Sequence, residues 1–201
     1  YKAPVFTAAL KEAAKMNVCA ETSRFNMTIF DAYVNMLRTQ TETMSAALAG
    51  VDEIVVTPFD ATYEEPTEFA ERIARNQQLL LKEESHFDKV VDPAAGSYYI
   101  ENLTNSIAEE AWKQFLAIQE EGGMYELVAA GKVQEAMAAT LKARLSDVAK
   151  RKEVILGSNQ FPNFTEKAGK KIKEVACGCC CAKPENAIAT LPVARAAEEF
   201  E

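Results

Sequence analysis

Two short apolar runs, each entered from a helical pattern and left through a polar break, restrict the folding of this chain more than any other feature. Val5, Phe6, Ala9, Leu10 and Ala13 recur at helical spacing from Pro4 to Lys15, and Met16-Asn17-Val18-Cys19-Ala20 then reads as a short buried strand. After the break from Glu21 to Asn26, the residues Ile29, Tyr33, Met36, Leu37, Met44 and Leu48 mark one face of a long helix that Gly50 can end. The β-branched run Glu53-Ile54-Val55-Val56-Thr57, bounded by Asp52 and Pro58, is a second short buried strand. Pro66 suits the first turn of a further helix whose face is Phe69, Ile73, Asn76 and Leu80, and the acids Asp60, Glu64 and Glu65 before it read as a solvated loop. Strands separated by helices pair in parallel, because a parallel connection has to cross over the sheet. The expected class is therefore α/β, and two strands are too few for a closed barrel, which takes eight and about 250 residues.

Asp92-Pro93-Ala94-Ala95-Gly96-Ser97-Tyr98-Tyr99-Ile100 is a turn between this half and a mostly helical one. Pro93 pushes Asp92 towards extended backbone and Gly96 can take positive φ. The bulk of Tyr98, Tyr99 and Ile100 predicts that the turn tucks against the protein before a helix starts at Asn102 or Thr104. Leu103, Ile107, Ala111, Phe115 and Ile118 form the next helical stripe, Gly122-Gly123 breaks it, and Gly131 precedes a last stripe of Val133, Met137, Leu141, Leu145 and Val148. Val154-Ile155-Leu156 is a candidate further strand, and Leu191 to Glu201 a candidate helix with nothing obvious to pack on. This divides the chain into an α/β part over 1–100, a helical extension over 101–162, and a linker with a cysteine-rich tail over 163–201.

With 48% hydrophobic and 26% charged residues, the 201-residue chain has the material for a packed core. The formal charge of −8 and the lack of a basic, aromatic cluster argue against nucleic acid, and no apolar run reaches the ~20 residues of a membrane span. A cytoplasmic protein is expected, one beginning inside a longer chain since residue 1 is Tyr. Four of the five cysteines, Cys177, Cys179, Cys180 and Cys181, crowd into one run where adjacent side chains diverge. Reduced thiols are favoured there over a tetrahedral metal site, with these four as the only metal candidates. The one histidine, His86, follows a helix and reads as a surface or capping residue.

The runs Arg72-Ile73-Ala74-Arg75-Asn76-Gln77-Gln78, Lys82-Glu83-Glu84-Ser85, Asp92-Pro93 and Gly96-Ser97-Tyr98-Tyr99 resemble the methylmalonyl-CoA mutase family. The likeness extends to Thr22-Ser23, Asp31, Tyr33, Asn35, Leu37-Arg38-Thr39, Ala46-Ala47-Leu48-Ala49-Gly50 and Gly122-Gly123-Met124, most of residues 15 to 160. Its form is similar to the small subunit of the two-subunit bacterial enzymes. The resemblance implies the last strand-helix units of a (β/α)8 TIM-type barrel, here incomplete, followed by a helical C-terminal region.

It also implies where chemistry would sit. Catalytic chains of the family read like His-Thr-Gln-Ser-Leu-His-Thr-Asn where this one reads Val51-Asp52-Glu53-Ile54-Val55-Val56-Thr57-Pro58, so both histidines and the glutamine are replaced, by Val51, Val56 and Glu53. The Asp-x-His-x-x-Gly loop that ligates cobalt is missing as well. The resemblance therefore implies no catalytic and no cofactor-binding residue in this chain, with adenosylcobalamin held by the large subunit. Thr22, Ser23 and Arg38 are the candidate substrate-binding residues, although Arg24, Arg38 and Arg75 each sit among carboxylates or on a helix face and read more economically as salt-bridged barrel or interface residues. The expected role is support, in a heterodimer, of the large subunit's interconversion of methylmalonyl-CoA and succinyl-CoA. Self-association through an open sheet edge is a further expectation. The alternative is a helical interaction module derived from the family without an isomerase role.

Overall fold

A computed structural model describes residues 15–166 and 194–201. The described residues form an α/β structure, mostly helical, in which a two-stranded parallel sheet of β1 (Cys19–Glu21) and β2 (Glu53–Val55) is joined through helix α1 (Val34–Ala49). Helices α2 (Glu68–Glu83), α3 (Tyr98–Glu120), α4 (Met124–Ala129) and α5 (Lys132–Ala149) follow. Cys19 pairs with Glu53, Ala20 with Ile54 and Glu21 with Val55. Period-two alternation turns Ala20 and Ile54 inwards and leaves Cys19, Glu21, Glu53 and Val55 exposed. Both strands are thus shorter than expected and half-buried rather than buried, because the described residues cover one face only. Asp52 fastens the pair at one end, its Oδ2 accepting the Val18 N–H at 2.8 Å.

Helix α1 corrects the apolar reading of its sequence. Tyr33, Leu37, Met44 and Leu48 are exposed, whereas the fully buried positions are Asn35, Thr39 and Thr43. These lie on one face at i, i+4, i+8 spacing. Their polarity is satisfied by hydrogen bonds: Thr43 Oγ1 donates to Thr39 O at 2.6 Å, and Gln77 Nε2 of α2 donates to Thr39 Oγ1 at 3.0 Å and to Met36 O at 2.5 Å. Helix α1 also starts later than its periodicity suggests. Ile29 and Ala32 precede it in turns and pack with Tyr63, Phe30 beside them, as a small core. The Gly50 N–H closes the helix onto Ala46 and Ala47 carbonyls.

Helix α2 buries Ala70, Ala74, Gln77 and Leu81, one residue on from the expected stripe, so Phe69 and Leu80 face outwards. The rotation is set by Gln77, which reaches α1 only from this face. Its N-terminus is built by a relay: Asp60 Oδ2 accepts from Thr67 N at 2.9 Å and from Thr67 Oγ1 at 2.7 Å, and Thr67 Oγ1 accepts from Ala70 N at 3.2 Å. Pro66 precedes this cap instead of entering the helix. Asp60, expected in a solvated loop, is 1% exposed because it is the acceptor at the base of the relay.

At residues 92–97 a turn forms as expected, with Gly96 at φ +77°; Asp92, at φ +47°, is left-handed rather than extended. Helix α3 starts at once from Tyr98. Glu101 reaches back to accept the Gly96 N–H at 3.1 Å, which favours this early start. The expected tuck does not occur: Tyr98 is 89% and Tyr99 75% exposed, and no residue of α3 is buried. The breaks at Gly122-Gly123 and Gly131 fall where predicted. Val154-Ile155-Leu156 contributes an isolated bridge, Leu156 with Gln160, in place of a strand. Ala196 and Ala197 do find packing, on Val148 and Ile155 beside Phe25, with Ala196 N donating to Phe25 O at 2.9 Å. The expected helix there is only the 3-10 turn Glu198–Phe200 among the described residues. Arg195 and Glu201 bind this segment to the loop after β1: Arg195 Nη1 donates to Glu201 Oε2 at 2.7 Å, and Glu201 Oε1 accepts the Ile29 N–H at 2.6 Å.

Two glycines should respond differently to alanine. A Cβ on Gly96 meets nothing within 4 Å, so Gly96→Ala carries only left-handed strain, about 1 kcal/mol. A Cβ on Gly157, at φ +84°, would stand 2.8 Å from Asp31 Cβ, so Gly157→Ala should cost about 2 to 4 kcal/mol through strain and overpacking together. Urea unfolding of both variants, with exposed Tyr98→Phe as a neutral control, tests this ranking; equal losses would contradict it.

Candidate functional site

The C-terminal ends of β1 and β2 bring together what the sequence scatters. Thr22 follows β1 directly and is 5% exposed; its Oγ1 accepts the Thr57 N–H at 2.8 Å, while Thr22 N donates to Val55 O at 3.0 Å. Thr22 thus holds the two strand ends together. Ser23 is exposed, and its Oγ accepts the Phe25 N–H at 3.2 Å while its own N–H donates to Glu42 Oε2 at 2.8 Å. This leaves a serine hydroxyl beside a carboxylate, a poor setting for an anionic substrate.

Arg38 belongs to a different cleft. Thr22 lines a pocket with Ala20, Thr43, Ala46 and Ile54, whereas Arg38 lines one with Asn26, Thr41, Val154 and Leu156, Glu42 standing between them. The Arg38 guanidinium is committed at three acceptors: Nη1 donates to Thr28 Oγ1 at 2.9 Å and Asn35 Oδ1 at 2.6 Å, and Nη2 to Leu156 O at 2.6 Å. Burial depresses its pKa, with Asp31, Glu201 and Glu42 partly opposing the shift. Such a guanidinium fastens the 155–160 turn to α1 with three of its five N–H groups. Arg24 and Arg75 are exposed.

Asn35, which sequence reasoning noticed only as part of a motif, is the centre of the arrangement. It is 0% exposed; Oδ1 accepts the Thr28 N–H at 3.0 Å, and Nδ2 donates to Thr28 O at 2.8 Å and Phe59 O at 3.0 Å. A single amide thus pins the loops that leave both strands. An asparagine in the middle of a long amphipathic helix was the available signal, since it disfavours helix unless its side chain has work elsewhere.

Beside this hub, Thr57 Oγ1, Asp60 Oδ1 and Thr62 Oγ1 are buried without a hydrogen-bond partner among the described residues. They offer hydroxyls and one carboxylate oxygen. Tyr63 lies 8% exposed in the same loop, its pKa pushed up to about 12 by burial and then by Asp60 and Glu64. Among the described residues no group of three or more His, Cys, Asp or Glu could hold a metal. The cysteines Cys177, Cys179, Cys180 and Cys181 lie outside the described residues. His86 is exposed at φ +57°, ahead of the short turn Phe87–Lys89.

The family model for methylmalonyl-CoA mutase matches residues 3–199. The chain belongs to the methylmalonyl-CoA mutase family. It is 58% identical over 193 residues to the methylmalonyl-CoA mutase small subunit of Porphyromonas gingivalis, covering 94% of this chain and 31% of that protein. It is 43% identical over 148 residues to the small subunit of Streptomyces virginiae, 74% of this chain and 24% of that one, and 41% identical over 141 residues to the methylmalonyl-CoA mutase of Rhizobium meliloti, covering 70% and 20%. The likeness is thus to small subunits first, as the sequence motifs imply, and the chain spans less than a third of the length of each of these relatives. Among the described residues no helix is long and apolar enough to cross a membrane.

The Tyr63 phenol gives this loop a pH signature. Its proton leaves the unfolded chain near pH 10 but the folded chain near 12, so stability should fall as pH rises across that interval. Thermal melts between pH 9 and pH 11.5 should show a steeper decline for the native chain than for Tyr63→Phe. Parallel declines would show that the phenol is not held neutral by its surroundings.

Proposed function

We propose that this chain is part of a methylmalonyl-CoA mutase small subunit, contributing the closing strand-helix units of a barrel and the helical extension after them. It supports the conversion of methylmalonyl-CoA to succinyl-CoA and back by a large subunit that holds adenosylcobalamin. The observation that carries this reading is the loss of chemistry at the strand ends. Where catalytic chains have an amide and an imidazole, this one has Glu53, exposed, and Val56, 8% exposed, and the neighbouring Thr22 and Arg38 are engaged in structural hydrogen bonds. A valine cannot donate to a substrate carbonyl, and a carboxylate repels an anionic acyl-CoA.

The residues present do not suit cobalamin. Axial ligation takes a histidine presented from a loop, and His86 stands exposed after a helix, beside Asp88 and Glu84, without the glycine of the family's loop. No step is therefore assigned to the cofactor on this chain.

A partner is favoured by α3, whose 23 residues include no buried one while Leu103, Ile107, Trp112, Phe115 and Leu116 remain exposed. A helix of this kind gains stability from packing that the described residues do not supply. The same exposure would suit a helical interaction module, and the large subunit separates the two readings. Tagged small subunit containing this region should retain the large subunit on affinity resin, and Leu103→Glu with Ile107→Glu should reduce retention at least tenfold. Titration of the small subunit alone with adenosylcobalamin should leave the cobalt absorbance unchanged. Failure to retain the large subunit would support the module; a spectral shift lost in His86→Ala would overturn the assignment of a silent chain.

A further inference from the structure

Between the end of α3, α4, α5 and Phe25 of the loop after β1 lies a half-open cavity of about 670 Å³, apart from the pockets that Thr22 and Arg38 line. Its wall follows α5 in two rows at i, i+4 spacing. Lys132, Ala136, Thr140 and Arg144 form one row, and Val133, Met137 and Leu141 the other. Ile118, Met124, Leu127 and Phe25 complete an apolar lining, and the small side chains of Ala136 and Ala138 keep the middle open. A volume of this order is that of small-molecule sites, in which a few polar groups fix the ligand's orientation.

The charged groups here sit at the two ends, twelve residues apart on the helix, or about 18 Å, and the Thr140 hydroxyl between them donates to Ala136 O at 3.0 Å. At one end the Lys132 ammonium lies 2.7 Å from Glu121, which lines the cavity too, so that end is neutral. At the other the Arg144 guanidinium lies 4.2 Å over the Phe25 ring, and its Nε and Nη2 donate to Glu153. Glu153 neutralises the guanidinium along its Nε–Nη2 edge from outside the lining. The described residues give Nη1 of Arg144 no acceptor, which leaves one edge of a fixed, planar donor beside an apolar trough. The lining carries two cations and one carboxylate. Each cation already has one carboxylate, Lys132 with Glu121 and Arg144 with Glu153, so a neutral apolar ligand would leave the remaining guanidinium edge unused and a dianion would bring a second charge that no cation faces.

We infer that this cavity binds an amphipathic monocarboxylate, its carboxylate on Arg144 Nη1 and its apolar chain along Ala136, Met137 and Leu141. Phe25 stacking and the Glu153 pair hold the guanidinium in place before the ligand arrives, and preorganisation of this kind lowers the cost of binding.

The full chain, titrated calorimetrically with dodecanoate at pH 7 below its aggregation range, should take up one equivalent saturably. Dodecanol should bind at least tenfold more weakly. Arg144→Met, which keeps the stack on Phe25 and loses the charge, should weaken dodecanoate at least tenfold, while Arg144→Lys should restore part of the loss. Ala136→Leu, on an exposed helix surface that circular dichroism can verify as folded, should abolish binding by filling the trough. Absence of saturable uptake, equal affinity for acid and alcohol, or indifference to both Arg144→Met and Ala136→Leu would each overturn the inference. So would sedimentation showing the groove covered by a second copy that dodecanoate does not displace. Because the large subunit takes no part, these results are independent of the proposed assembly.

Discussion

The side-chain amide of Asn35 is the contact on which the described structure most depends. It joins the loop after β1, through both the N–H and the C=O of Thr28, to the loop after β2, through the C=O of Phe59. Arg38, one turn on, adds Thr28 Oγ1 and carries the link to the 155–160 turn. A parallel pair of three-residue strands cannot hold its own ends in place, since so few ladder hydrogen bonds barely offset the entropy of ordering the loops. The buried polar face of α1 takes over that work. Replacing the amide by an apolar group would leave three buried backbone groups unsatisfied, at about 1 to 3 kcal/mol each.

This design explains which parts of the fold were legible. The alternation of helix and strand, the parallel pairing and the breaks at Gly96, Gly122-Gly123 and Gly131 follow from backbone preferences that sequence displays directly. The orientation of the helices did not follow. Apolar periodicity assigned the inward face of α1 to Tyr33, Leu37, Met44 and Leu48, but Asn35, Thr39 and Thr43 occupy it, because the hydrogen-bonding demand of the two loops outweighs burial of a few aliphatic side chains. The one-residue rotation of α2 has the same origin, in the reach of Gln77 to Met36 O. Tyr98 and Tyr99 misled for another reason: bulk predicts burial only where the chain supplies a surface to pack against.

The candidate site shows the same division. Thr22 and Ser23 were placed at the correct strand end by motif, and their hydroxyls were expected to face a ligand. Instead they close local backbone contacts. Arg38 entered through the Leu37-Arg38-Thr39 motif, which does not display that its three acceptors lie 10, 3 and 118 residues away. Asp60 and Tyr63 were invisible as a pair, because a carboxylate in an acidic stretch reads as solvated until Thr67 is seen to need an acceptor. At these strand ends the described polar side chains serve as fastenings between strands, loops and helix α1.

A double-mutant cycle on Asn35→Ala and Arg38→Met, read by urea unfolding, tests that account most directly. If the two residues form one structural fastening, each single change should destabilise by about 2 kcal/mol or more, and the pair should fall short of additivity by at least about 1 kcal/mol. Additivity within about 0.5 kcal/mol would contradict it, because Arg38 would then be acting independently of Asn35.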